Sequence, residues 1–385
     1  MIKKKFLATF LIVILVATTF VSSISAIEIK ETNIDLNVKS AVLMDASTGT
    51  ILYSQNAEES LPPASVTKVM TLLLVFEAIE KGTLSYEDTL TVSENAASMG
   101  GSQVFLEPGE EMKVEDLLKS VIIASANDAA LTLAEHVAGS EEAFVDMMNK
   151  RAEELSMKST HFENVTGLDD DVVNHVTSAK DIAIMSSELL KYDKVSEYAT
   201  IWMDTIRNGE FGLTNTNRLI RYYKGITGLK TGYTSKAGYC ISSSAKRNDL
   251  HLIAVIMGAE SSKERNDAAT KLLDYGFANY SIYKNINIPD ESIDLYGGEK
   301  DSVKIKYEDF STLLNKGSNN KVEKEIQLNE YLIAPVKKNE VVGKVIYKID
   351  GVSIGESEII CQETVDKISF FKYLLKILKN IFWIM

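Results

Sequence analysis

Three short groups of residues have the types and spacing to share one reaction. The first is Ser65 with Lys68, in Pro63-Ala-Ser-Val-Thr-Lys68. Pro62 and Pro63 lie just ahead, where proline is tolerated at a helix start, and the apolar run Val69 to Phe76 follows. Residues three apart share a helical face, so the hydroxyl and the amine can point the same way. A serine hydroxyl is a weak nucleophile until a base takes its proton. A lysine can be that base when burial and a neighbouring cation lower its pKa. The second group is Ser125-x-Asn127. Residues two apart do not share a helical face, so both reach one site only through a turn between two helical runs. Ser125 could relay a proton, and Asn127 offers an amide donor and a carbonyl acceptor. The third is Lys230-Thr231-Gly232 on a short strand. Lys230 would depress the pKa of Lys68 and attract a carboxylate, Thr231 would donate a hydroxyl to it, and Gly232 would let a peptide backbone lie close. Strict alternation points Lys230 and Thr231 to opposite faces. An edge strand with twist is one way for both to reach the site.

The elements that must position these groups can be read in outline. Ala41–Met44 and Thr50–Tyr53 form a hairpin around Asp45-Ala-Ser-Thr-Gly49. The Ser65 helix runs to about Lys81 before Gly82. Residues 83–113 are loop-rich. Helical spacing then runs from Val114 to Ser125, resumes at Ala129–Ala138, and recurs over 141–157 and 178–191. Strands return at Gly228–Tyr233, Tyr239–Ser244 and His251–Met257, and a helix from Lys263 to Phe277 closes the unit. The class is α+β: an antiparallel sheet with helices on its faces and a helical lobe beside it. From Ile286 to Gln362 there are short strands and turns without a good helix, which predicts a small all-β second domain.

Both termini stand apart from these units. Lys3, Lys4 and Lys5, an apolar run from Phe6 to Val21, and small residues up to Ala26 have the order of a secretory signal peptide. The domain plan is thus a signal over 1–26, a catalytic domain over 27–282, a β-rich domain over 283–365 and a terminal helix over 366–385. That last segment is strongly apolar, with Lys372, Lys376 and Lys379 on one narrow face. Three central lysines argue against a spanning helix and suit one lying in the membrane interface. A net charge of −13 over 385 residues excludes nucleic acid as a general partner. The two cysteines, Cys240 and Cys361, are read as free buried thiols. His136, His161, His175 and His251 lack metal-ligand spacing, and nothing calls for a cofactor. His175 is read as a structural or capping residue ahead of Thr177-Ser178, and Asn164-Val165-Thr166 as a turn.

Serine-x-x-lysine, a serine-x-asparagine and lysine-threonine-glycine in this order are the set shared by class A β-lactamases and penicillin-binding proteins. The chain resembles the low-molecular-weight penicillin-binding proteins, the serine D-Ala-D-Ala carboxypeptidases of the bacterial envelope. Leu61–Lys68, Phe105-Leu-Glu-Pro-Gly109, Ser125-Ala-Asn-Asp-Ala129, Asn164-Val-Thr-Gly167 and Gly228–Cys240 carry the resemblance. It covers nearly everything after the signal. It implies that Ser65 attacks the carbonyl between the terminal D-alanines of a peptidoglycan stem peptide while Lys68 takes its proton. Backbone N–H groups of Ser65 and Tyr233 would form the oxyanion hole. Some relatives carry His at the Tyr233 position, where only the backbone N–H is required. Ser125 and Lys230 would pass a proton to the leaving D-Ala, Asn127 would hold the substrate amide, and Thr231 with Arg265 would bind the terminal carboxylate. β-Lactams would acylate Ser65. The resemblance also implies an exported enzyme on the outer face of a bacterial cytoplasmic membrane. A β-lactamase would need a deacylating glutamate, and Glu163 with Asn164 does not fit that pattern. A D,D-endopeptidase or weak transpeptidase would look nearly the same. A non-enzymatic β-lactam-binding wall protein would require a damaged site, and no motif residue is missing.

Overall fold

The structure is a computed structural model that describes residues 34–168, 172–285 and 291–382. The segment read as an export signal lies outside the described residues. The chain divides into two units, Ile29–Tyr280 and a second running from Ser281.

The first unit is built on a five-stranded antiparallel sheet. Ser40–Asp45 (β1) and Ile51–Gln55 (β2) make the expected hairpin. Asp45 shapes its turn, accepting from Thr48 N at 3.0 Å and Thr48 Oγ1 at 2.7 Å. Ile226–Thr234 (β3), Gly238–Arg247 (β4) and Leu250–Ala259 (β5) complete the sheet in the order β2-β1-β5-β4-β3. β3, which carries Lys-Thr-Gly, is therefore an edge strand. β1 and the middle of β5 are buried along their length, as their unbroken apolar runs require.

Lys68–Glu80 (α1) is apolar on nearly all sides and correspondingly buried from Lys68 to Phe76. It follows a 3₁₀ turn, Ala64–Thr67, so Ser65 sits on the tight turn and Lys68 opens the α-helix. Asn127–Ala138 (α2), Glu141–Glu154 and Ala179–Leu189 (α3) pack with α1. Ser262–Asn279 (α4) lies along β4 and β5, capped by the Ser261 hydroxyl, which accepts from Glu264 N at 3.1 Å.

The segment expected to be one helix up to Ser125 is two pieces: Val114–Lys119 is α-helical and Ser120–Ala124 is a π turn. The apolar spacing of Leu117, Leu118, Val121 and Ile122 suits either winding. Residues 192–224, unassigned from the sequence, hold a short helix Asp193–Ala199, a hairpin of Met203–Ile206 with Phe211–Thr214, and a 3₁₀ turn Arg218–Arg221.

Among its described residues the second unit is all-β apart from one 3₁₀ turn and the terminal helix. Its six-stranded sheet runs Glu323–Leu328, Val341–Ile349, Val352–Cys361, Ser302–Tyr307, Glu291–Tyr296, Tyr331–Ile333. Ser302–Tyr307 alternates strictly, with Val303, Ile305 and Tyr307 inward. Tyr280–Asn285 pairs with Phe310–Asn315, and Phe310 stacks on Tyr347 at 4.0 Å. Phe370–Phe382 (α5) follows, with Phe370, Phe371, Leu374, Leu375, Ile377 and Leu378 exposed. Lys372 on α5 pairs with Glu299 at 2.6 Å. Among the described residues no helix is long and apolar enough to cross a membrane.

Candidate active site

The turn that carries Ser65 is packed against two other stretches of chain. Ala64, just before Ser65, has φ +49, in the left-handed region. A Cβ on Gly167 would lie 1.9 Å from the Ala64 carbonyl oxygen, so only glycine allows that approach. A Cβ on Gly232 would lie 2.9 Å from Ser65 N and 3.0 Å from Ala64 Cβ. The backbone that Gly232 admits is therefore first of all that of Ser65.

Lys68 Nζ donates to Ser65 Oγ at 3.0 Å and to the Thr166 carbonyl at 3.0 Å. The side chain is fully buried. Burial pushes its pKa well below the ordinary lysine value, the charge of Lys230 pushes it further, and Asp128 opposes. Burial is thus the leading cause and the second cation an addition to it. The Thr166 carbonyl is aimed by an Asx turn, in which Asn164 Oδ1 accepts from Thr166 N at 3.1 Å and Gly167 N at 2.7 Å.

Lys230 is also buried, and its Nζ donates to the Thr231 carbonyl at 2.9 Å. Burial and the Arg265 charge push it down to about 7. Alternation is kept on β3. Gly232, and with it Lys230, faces the Ser65 turn, while Thr231 Oγ1 turns to Thr216 Oγ1 at 2.7 Å. Because β3 is an edge strand, a ligand along its rim can meet both faces.

Ser125 ends the π turn with φ +65, and α2 starts at Asn127, so the joint supplies the turn that this pair needs. Asn127 N donates to the Ser102 carbonyl at 2.7 Å and its Nδ2 to Gly100 O at 2.7 Å. Its Oδ1 is buried with no hydrogen-bond partner among the described residues. Asp128 accepts from Val104 N and Leu106 N, each at 3.1 Å, tying the 102–106 loop to α2.

Ser65, Ser125, Thr231, Gly232, Tyr233 and Arg265 line one cleft of about 840 Å³. Lys68, Asn127 and Lys230 lie buried behind its surface. Arg265 is itself buried, over the Tyr239 ring at 5.9 Å, and donates to Asn266 Oδ1 at 3.1 Å. Tyr233 is half exposed, and its ring lies tilted against that of Tyr239, with centroids 4.3 Å apart. Glu163 accepts from Val173 N and Asn174 N at 3.1 Å each, which occupies it as a loop brace.

A family model described as D-alanyl-D-alanine carboxypeptidase matches residues 27–261. The chain belongs to the D-alanyl-D-alanine carboxypeptidase family. Residues 277–367 match a second model, the penicillin-binding protein 5 C-terminal domain. The chain is 43% identical to D-alanyl-D-alanine carboxypeptidase DacF of Bacillus subtilis, over 96% of this chain and 97% of that one. Penicillin-binding protein 5 of Haemophilus influenzae superposes with TM-score 0.73 at 32% identity, covering 88% of this chain and 100% of that one. Penicillin-binding protein D2 of Listeria monocytogenes, solved in an ampicillin-bound form, gives TM-score 0.56 at 32% identity over 64% of this chain and 100% of its own. Membership makes this chain a serine D,D-carboxypeptidase acting on peptidoglycan.

The carboxypeptidase cleft has a wall that sequence reasoning missed. Trp202, Thr214, Asn215, Thr216, Arg218 and Arg221 line it. Arg221 lies over the Trp202 ring at 4.9 Å. The local signal was present in Asn215-Thr-Asn217. Asn215 Oδ1 accepts from Asn217 N at 2.8 Å, and Asn217 Oδ1 accepts from Leu219 N at 3.1 Å, a run of Asx chemistry that builds a rigid turn. Ser102 was missed too. His175 does not cap α3, because the Ser178 hydroxyl does so, accepting from Asp181 N at 3.1 Å. His175 turns instead toward Thr67, with Nε2 at 2.8 Å from Oγ1.

Proposed function

We propose that Ser65 is the acylated nucleophile of this carboxypeptidase and that Lys68 is its general base. The observation carrying this is Lys68 Nζ at 3.0 Å from Ser65 Oγ, in a buried site that favours the neutral amine. The stem peptide lies along the free rim of β3. Its terminal carboxylate meets Thr231 Oγ1 and the Arg265 guanidinium, a planar fork suited to a carboxylate. Asn127 Oδ1, otherwise unpartnered, accepts from the substrate amide. Lys68 takes the Ser65 proton as the serine oxygen adds to the penultimate carbonyl. Ser65 N–H and Tyr233 N–H hold the oxyanion. Collapse breaks the peptide bond, and the proton that Lys68 took passes by way of Ser125 and Lys230 to the leaving D-Ala nitrogen. Water then hydrolyses the ester.

β-Lactams acylate the same oxygen and leave slowly. Residues 1–26 direct export. The exposed apolar side of α5 rests in the outer leaflet of the cytoplasmic membrane.

The test is incubation with labelled penicillin and with a pentapeptide ending in D-Ala-D-Ala. Covalent label and released D-Ala are expected, and both are lost in Ser65→Ala. Absence of label and of D-Ala across a range of pH would defeat the reading, and rapid penicillin turnover would favour a β-lactamase.

A further inference from the structure

Three hydrogen bonds run in series into the peptide ahead of the nucleophile. The Glu163 N–H donates to His175 Nδ1 at 3.0 Å. His175 Nε2 lies 2.8 Å from Thr67 Oγ1. Thr67 Oγ1 donates to the Ala64 carbonyl at 2.9 Å. The direction of donation is set from both ends. Nδ1 accepts from an amide, so the neutral ring carries its proton on Nε2. Thr67 gives its one hydroxyl proton to Ala64, so it accepts at the ring. Both requirements select the same tautomer, and every donor points toward Ala64. Thr67 and His175 are buried, at 0% and 5% exposure, so water competes little for these bonds.

The series ends on a peptide with two tasks. The Ala64 carbonyl and the Ser65 N–H belong to one planar trans unit and point in opposite directions. Thr67 Oγ1 and Gly167 hold the carbonyl side. The N–H side faces β3, where a Cβ on Gly232 would lie 2.9 Å from Ser65 N. Ala64, at φ +49, has no intrinsic preference for this orientation. Something must hold the plane, and the series does.

We propose that Thr67 and His175 are positioning residues of the oxyanion hole. They lock the Ala64–Ser65 peptide so that its N–H is aimed at the substrate carbonyl oxygen under attack. They also polarise it, since each bond in an aligned chain strengthens the next by about 10–30%. No proton is transferred along the series and no covalent bond changes. The inference rests on Ser65 being the acylated nucleophile.

The test uses the full chain and three variants. Thr67→Val keeps the shape and removes the hydroxyl, Thr67→Ser keeps the hydroxyl, and His175→Phe keeps a ring without the donor. Acylation by penicillin and kcat on a D-Ala-D-Ala peptide are expected to fall about tenfold or more in Thr67→Val and His175→Phe, with KM within about twofold. Thr67→Ser restores most of the rate. The decisive readout is the infrared ester carbonyl stretch of the acyl-enzyme, which reports hydrogen bonding in the oxyanion hole from folded, acylated molecules only. It moves to higher frequency in Thr67→Val and His175→Phe and returns in Thr67→Ser. An unmoved stretch in the variants that acylate, or a Thr67→Ser variant as slow as Thr67→Val, overturns the proposal. If Thr67→Val is too unstable to acylate, His175→Phe decides alone. A wild-type protein that fails to acylate would defeat the nucleophile assignment instead.

Discussion

Replacing Lys230 by Met should make the protein more stable and inactive, with a characteristic pH dependence. Lys230 is buried and held down to about 7 from an ordinary 10.5. Between those values the unfolded chain binds a proton that the folded protein does not, so stability rises with pH by up to about 1.4 kcal/mol per unit. Lys68, shifted the same way, adds slope wherever it too is neutral in the fold. Cys240 acts in reverse: burial raises its thiol from 9.0 to about 11, so stability is lost as the unfolded thiol ionises. The clean window is therefore roughly pH 7 to 8.5. Near pH 7 the displaced Lys230 proton represents a ceiling of about 4–5 kcal/mol, and relaxation around a buried charge reduces this to about 1–4 kcal/mol. Lys230→Met removes that penalty at similar volume. Urea titrations followed by Trp202 fluorescence, in a Trp383→Phe background, measure the effect. Wild-type stability should climb across the window, and the Met variant should start higher and climb less. A flat wild-type profile, or a Met variant less stable than wild type near pH 7, would refute the electrostatic account of this site.

Four further outcomes follow, three from the site and one from α5. Lys68→Met should slow acylation about 10²–10⁴-fold while leaving reversible substrate binding nearly intact, checked by stopped-flow labelling. Gly232→Ala places a methyl 2.9 Å from Ser65 N, so the nucleophile turn must shift, and kcat should drop about 10–100-fold in steady-state D-Ala release. Arg265→Gln should raise KM about 10–100-fold for a peptide with a free terminal carboxylate and change little for its C-terminal amide, measured side by side. Under the membrane contact proposed for α5, Leu375→Asp with Leu378→Asp, at two exposed positions, should release the protein from anionic vesicles in a flotation assay.

What could be read in advance divides by the range of the interaction. Ser65 and Lys68 share a face through spacing alone, and the strands around Lys230 declare themselves by apolar runs between turns. The all-β character of the second unit showed in its alternation, though Glu291–Tyr296 and Glu323–Leu328 were too polar on one face to stand out. The partners of Lys68 and Thr231 were not readable. Thr166 contributes a backbone carbonyl, which any residue possesses, and Thr216 meets Thr231 across a turn. The hairpin at 203–214 was hidden because its strands are four residues each, with Arg207 and Asn208 at positive φ between them. The π winding before Ser125 was hidden because Val121, Ile122 and Ile123 form an unbroken buried apolar run, which reads alike in either winding. Of the two readings of His175, structural or capping, the structure keeps the structural one, and only the tertiary fold brings Thr67 to it.

The Ala64–Ser65 peptide is pressed by Gly167 and Gly232, each far along the chain from the serine. A growing or partly folded chain therefore holds the serine and the lysine but not the glycine contacts that set the peptide between Ala64 and Ser65. Reactivity should arrive last, when the edge strand docks, and should arrive all at once. Labelled penicillin then serves as a clock for refolding: the time course of covalent labelling would follow the docking of β3, lagging behind the appearance of helix and sheet.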